Sequence, residues 1–454
     1  MLPELAALVK ESSLSLSSFE IAAWLDERDE LKGLRKEFSI PLVKDVVPLN
    51  DAEKEKLGSK GENTCVYFCG NSLGLLPLKS KVYVEEELDV WAKRGVVSHF
   101  NHPYGRPWVS IEDNVVGRSA ELIGAKPDEV AIMNTLTGNL HYLLTSFYQP
   151  TSRRYKILME EKPFPSDRYA IESQLRLHGF DPADALIFQK PREGEYTLRT
   201  EDILSTIERE GESIALVLFS GVQYYTGQLF EIEKITKAGH SKGCIVGFDL
   251  AHAVGNVPMK LNEWGVDFAC WCTYKYLNSG PGGIAGLFVH EKHSDVSSNR
   301  PRFGGWWGVE RDVRFQMDKV FPLRVGAAGY QLSNPSVLNT VSLLGSLQIF
   351  EEVTMPKLRA KSKLLTAYLE YLLDTEIGGL LDFKIITPRD PEQRGCQLSL
   401  ILSDSQFDRI FNALMAEGVV CDERRPNCIR IAPVPLYNTF MDVRKFIDIL
   451  KRLI

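Results

Sequence analysis

Apolar residues gather in short blocks through the middle of the chain. "RYKILMEE" (154–161), "SIALVLFSGV" (213–222), "KGCIVGFDLA" (242–251), "VDFACWCTYK" (266–275) and "GGIAGLFVHE" (282–291) each hold a run of strand length. Stretches with apolar residues three and four apart, such as "TEDILSTIEREGE" and "IEKITKAGHSKG", separate several of them. Strand–helix alternation of this kind predicts a mostly parallel sheet with helices on both faces.

The rhythm differs at both ends. Residues 1–60 read as a charged helical segment that lapses into a connector, as in "AAWLDERDELKGLRKEF". From "SNPSVLNTVSLLGSLQIFEEV" onward a long helical stretch begins, with a break expected at Pro356. Strands and helices then mix in a smaller unit. The pattern predicts an N-terminal segment (1–60) packing on the small domain, a large α/β domain (61–330) and a small C-terminal α+β domain (331–454).

With 454 residues, 44% of them hydrophobic, the chain can bury substantial cores. A net charge of -7 without a basic block argues against a nucleic-acid role. No apolar run is long enough to cross a bilayer. Eight cysteines without a secretory pattern read as reduced thiols, so a cytoplasmic protein is expected.

The blocks also carry chemistry. Lys275 follows the run 266–272 between two tyrosines, and a buried ammonium is costly unless paired or bonded. Asp249 ends the run 245–249, and His252 follows it. A strand-end Asp alone would read as a helix cap. Two strand ends in one sheet, however, can present an acid and an amine to one site, which is what pyridoxal phosphate requires. Leu136, Thr137 and Gly138 fall where a loop becomes a helix, a seat for a phosphate. Phe164 offers a stacking face, and Ser220 a hydroxyl at another strand end.

"YFCGNSLGLLP", "FPSDRYAIESQLRLHG", "LVLFSGVQYYTGQ", "VGFDLAHAVGN", "GVDFACWCTYKYLNSGPGGIAG", "FGGWWG", "SNP" and "CIRIAPVPLYN" together resemble kynureninase. The resemblance covers the chain from about residue 60. It implies the fold-type-I architecture of pyridoxal phosphate enzymes. It also implies hydrolysis of L-kynurenine or its 3-hydroxy form to L-alanine plus anthranilate or 3-hydroxyanthranilate, a step of tryptophan degradation towards NAD.

By matching motif, Lys275 is then the imine-forming lysine, Asp249 the partner of the ring nitrogen, and His252 its neighbour. Leu136, Thr137, Ser220 and Tyr274 match cofactor contacts, and Phe164, Pro165, Ser166 and Asp167 match the segment flanking the ring. Trp306 and Asn334 match positions that the family supplies from a neighbouring subunit, which implies a homodimer. Arg430 matches the arginine that pairs with the substrate carboxylate. Of two histidines before "RPW", His99 is preferred to His102 as the substrate-selecting residue, with Ser333 and Asn334 as companions. Tyr274 is the candidate acid–base for the hydrated ketone, although bonding the phosphate would serve it equally well.

Within the same cofactor class, the alternatives are a cysteine desulfurase and an aminotransferase. A desulfurase typically places His before the lysine, where this chain has Tyr274. "GPGGIA" (280–285) lacks the helix that a dinucleotide fingerprint needs and reads as a turn. "CWC" and "CVYFC" lack metal-site spacing and read as buried thiols, so no metal is expected. "HEKH" (290–293) reads as a solvated loop.

Overall fold

The computed structural model describes residues 2–295, 300–316 and 322–454. The chain divides into two compact units. One comprises Met1–Leu78, Tyr225–Leu229 and Glu352–Ile454, and the other Lys79–Tyr224 and Phe230–Glu351.

The larger unit is built on seven strands: β1 (Val130–Met133), β2 (Lys156–Glu160), β3 (Leu186–Gln189), β4 (Ile214–Ser220), β5 (Ile245–Asp249), β6 (Phe268–Cys272) and β7 (Ala285–Val289). Their order in the sheet is β1-β7-β6-β5-β4-β2-β3. Strand β7 runs against both neighbours, and the other pairs are parallel. The sheet is therefore mostly parallel, as the alternation predicts. All five residues of β6 are buried, because both faces of the sheet are covered.

Two glycines make room for large side chains on β6. Gly247 stands opposite Phe268, and a Cβ there would lie 2.3 Å from the ring. Gly286 stands opposite Trp271, and a Cβ there would lie 2.2 Å from the indole. The β6 aromatics thus occupy the space that a side chain on each neighbouring strand would fill.

Before β6, buried Asp267 ties several elements together. It accepts from His240 Nε2 (2.8 Å), His293 Nε2 (2.7 Å), Lys292 Nζ (2.7 Å) and the Val246 backbone N–H (2.7 Å). Burial opposes the charge, but the His240, His293 and Lys292 hydrogen bonds hold this carboxyl well below its ordinary range. The "HEKH" stretch is a short turn with Glu291 and Lys292 exposed, as expected of a solvated loop, but His293 reaches inward to a buried carboxylate.

In the smaller unit, helices Pro3–Ser12 and Phe19–Arg28 share a core with Met355–Leu372 and Phe440–Leu453 through Leu5, Ile21, Leu25, Tyr368, Leu369 and Phe446. Pro356 lies in the first turn of Met355–Leu372, where its missing N–H costs nothing, and the break falls just before it. Strands β8 (Phe383–Ile385), β9 (Leu398–Leu402), β10 (Asp422–Arg424) and β11 (Cys428–Ile431) form an antiparallel sheet in the order β8-β9-β11-β10. Segment 225–229 is bonded into this unit by Ser399 Oγ donating to the Tyr225 carbonyl (2.6 Å) and the Leu229 N–H donating to the Gln393 carbonyl (2.8 Å).

Candidate active site

The strand ends β1, β2, β4, β5 and β6 surround one cavity of about 250 Å³. Leu136, Thr137, Phe164, Ser166, Asp167, Ser220, Asp249, His252, Tyr274 and Lys275 line it, together with Val222, Tyr224 and Ala251. Ten of the positions singled out in the sequence thus converge. Lys275 sits in the turn between β6 and β7, with Nζ 2.9 Å from His252 Nε2 and 5.7 Å from the centroid of the Phe164 ring.

Asp249 closes β5 and turns back to accept from the Ala251 N–H at 2.7 Å. Burial raises its pKa, while the hydrogen bond with Asp167 and the Lys275 charge oppose the rise. Asp167 is pushed well above its ordinary value by burial and by the Asp249 charge. Two facing carboxyls in a dry site cannot both ionise freely, and both are raised.

Helix Leu136–Phe147 starts at the cavity with Thr135 extended before it, so its first N–H groups and positive dipole end point inward. Thr137 Oγ1 lies 2.8 Å from Ser166 Oγ, joining this helix start to that of Pro165–Leu177. Pro165 opens the latter helix. Phe164, just before it, stands edge-on to Tyr224 at 5.3 Å. The Tyr274 phenol is pushed up by burial and by Cys272 beside it, so it keeps its proton at neutral pH.

The other predicted positions do not line this cavity. Trp306 is half exposed and donates its indole N–H to the Arg314 carbonyl at 2.9 Å. Ser333 is exposed, and Asn334 Oδ1 is buried without a partner. Arg430, on β11 of the smaller unit, is wholly buried and paired with Asp422 at 2.8 and 3.1 Å.

The two candidate histidines differ sharply. His102 is locked by Glu87, which accepts from His102 Nε2 (2.9 Å), Trp108 Nε1 (2.8 Å) and Arg106 Nε (2.9 Å). His99 stands edge-on to Trp108 at 5.4 Å, and its Nδ1 is enclosed without a partner. Sequence reasoning missed Glu160, which ends β2 behind Ser220, because an acid closing an apolar run looks like a solvated strand end. It also missed Glu87, whose three donors lie 15 to 21 positions downstream.

An acid, an amine and a helix N-terminus around one cavity at the strand ends define a pyridoxal phosphate enzyme of fold type I. The residues fit that cofactor: Asp167 keeps a buried carboxyl oxygen without a partner, and Asp249 and Lys275 share the same space. The fold resembles the apo structure of a cysteine desulfurase from Thermococcus onnurineus NA1 (TM-score 0.70, 18% identity, covering 92% of this chain and 99% of that one). It also resembles a C-DES mutant with glycine covalently linked to its PLP cofactor (TM-score 0.72, 16% identity, covering 89% and 99%).

Sequence relatives narrow the class. The chain is 54% identical to a kynureninase from Monosiga brevicollis, covering 98% of each, and 53% identical to one from Homo sapiens, covering 95% of this chain and 92% of the relative. Residues 358–450 match the model of the kynureninase C-terminal domain. The chain belongs to the kynureninase family.

Proposed function

We propose that the cavity around Lys275 carries out the kynureninase reaction, hydrolytic cleavage of the Cβ–Cγ bond of L-kynurenine and 3-hydroxy-L-kynurenine. Membership of the family supports this activity. The observation that carries the site assignment is that Lys275 and Asp249 face one cavity beside the start of helix Leu136–Phe147. Overall, water is added across one carbon–carbon bond: Cβ gains a proton to give L-alanine, and Cγ gains a hydroxyl to give anthranilate or its 3-hydroxy form.

When bound, pyridoxal phosphate supplies an aldehyde that takes up an amine and a ring that withdraws electrons from the neighbouring carbon. Asp249 would hold a proton on the ring nitrogen, and the helix start and Thr137 would hold the phosphate. Lys275 would hold the group through its amine, and the same amine is placed to take and return a proton at the substrate α-carbon. His252, 2.9 Å away, positions that amine. Phe164 would cover a ring face. Tyr274, protonated at neutral pH, donates either to the phosphate or to the ketone oxygen. By matching motif, Arg430, paired with Asp422, is the arginine for the substrate carboxylate, and His99 with Ser333 and Asn334 reads the aromatic ring.

A homodimer is part of this reading. Trp91, Val96, Val97, Phe100, Trp306 and Phe315 are all exposed apolar groups, and Phe315 packs edge-on to Phe100 at 5.6 Å and to Trp306 at 5.1 Å. Such a cluster suits a partner subunit, and the unpartnered Asn334 Oδ1 suits a neighbouring site. Among the described residues no helix is long and apolar enough to cross a membrane. None of the eight cysteines forms a disulfide, which suits the cytoplasm.

A desulfurase would need a reactive thiolate, yet Cys272, close to Lys275, has its pKa raised by burial. The test is direct. Purified protein with pyridoxal phosphate and kynurenine releases fluorescent anthranilate, and Lys275→Ala loses both this activity and the visible absorbance of the bound cofactor. Sulfide released from cysteine, with no anthranilate from kynurenine, refutes the assignment.

A further inference from the structure

Glu160 has no part in the scheme above, yet it is almost fully buried beside the cofactor cavity. It ends β2 next to Ser220, which ends β4. Ser220 Oγ donates to Glu160 Oε1 at 2.6 Å, and the Ser220 backbone N–H donates to Oε2 at 3.3 Å. Ser220 lines the cavity, and Glu160 lies behind it. A carboxyl in so dry a place is unfavourable unless its bonds serve a purpose.

We propose that Glu160 is a positioning residue for the cofactor: by accepting the Ser220 proton, it leaves the lone pairs of that hydroxyl facing the cavity as an acceptor for a donor on the ring. The inference rests on the proposed function of the cavity. A hydroxyl has one proton, so whichever group takes it decides what the other side of the oxygen can offer.

Other charged groups nearby set the balance. Asp249 on β5 raises the Glu160 pKa, Asp167 on helix Pro165–Leu177 feels the Glu160 charge, and Lys275 after β6 bears on both aspartates. On the β3 side its register partner is Gln189, which is uncharged. Burial, with Ser220 pulling the other way, leaves Glu160 at about 7. Above that pH it accepts from Ser220. Below it, the protonated acid can itself donate, and the hydroxyl turns.

The test measures pyridoxal phosphate binding to the apoprotein by quenching of tryptophan fluorescence, from pH 6 to 9. Wild type shows an affinity step near neutral pH. Glu160→Gln, which keeps a carbonyl acceptor but cannot ionise, matches wild type at pH 8 and lacks the step. Glu160→Leu and Ser220→Ala each bind about fivefold more weakly at pH 8, the worth of one hydrogen bond, and the double variant binds no more weakly than either. A step that persists in Glu160→Gln, wild-type affinity in Glu160→Leu, or additive losses in the double variant overturns the positioning role alone. A wild-type apoprotein with no affinity for the cofactor overturns the cavity assignment as well.

Discussion

Replacing Glu87 by alanine removes one carboxylate and strands three donors. His102 Nε2, Trp108 Nε1 and Arg106 Nε all end on Glu87 at 2.8–2.9 Å, and both His102 and Glu87 are almost wholly buried. Breaking a buried ion pair by deleting one partner costs about 3–5 kcal/mol. Here Arg106 keeps a second carboxylate, Glu86, at 2.7 Å, which brings the expectation to the lower half of that range, about 3–4 kcal/mol. For a unit of this size, each kcal/mol lowers Tm by roughly 2–4 °C. The assay is urea unfolding of the cofactor-loaded protein followed by tryptophan fluorescence, with thermal unfolding alongside. A loss below about 1 kcal/mol would mean that water reaches the stranded donors, and the network would then not be a buried support. The same network separates the two histidines. His102→Ala should lower stability and leave the turnover ratio of kynurenine to 3-hydroxykynurenine unchanged. His99→Ala should change the ratio with little effect on stability, and the opposite pattern refutes the choice.

Asp249→Asn keeps the acceptor for the Ala251 N–H but cannot hold a charge against the ring, so turnover should fall by about a hundredfold or more while cofactor still binds; unchanged kcat counts against its role. Asp267 has a folded pKa below its unfolded value near 3.8, so its stabilisation is complete above about pH 4 and is lost as pH falls further. Urea unfolding at pH 6, 4 and 3 should therefore show a steeper acid loss in wild type than in Asp267→Asn, and parallel losses would contradict it. Gly286→Ala places a methyl 2.2 Å from the fully buried Trp271, which has nowhere to swing; overpacking of about 1–3 kcal/mol should appear in the urea midpoint, and a wild-type midpoint would show that the strands can part.

The five apolar blocks became β2, β4, β5, β6 and β7, because a strand covered on both faces leaves an unbroken apolar signature. Direction was harder to read. The reversal of β7 depends on the short turn after Lys275, and nothing in "GGIAGLFVHE" distinguishes an antiparallel strand from a parallel one. The acid and the amine of the cavity were legible because Asp249 ends such a block and Lys275 comes soon after another. Glu160 and Glu87 were not, since what defines them is a donor brought close by the fold. Asp267 escaped notice for the same reason: its histidines lie 27 residues before it and 26 after it.

The division of the chain also bears on its synthesis. The larger unit uses only residues 79–224 and 230–351, so all of it has been made once residue 351 is added. The other unit opens with residues 1–78 and needs 352–454 to be finished. At about 5–20 residues per second, the first helices wait roughly 20–85 s before both Met355–Leu372 and Phe440–Leu453 exist to cover Leu5, Ile21 and Leu25. During that interval the ribosome carries greasy surface with no native mate, and slowing elongation over the intervening codons should raise the amount captured by chaperones.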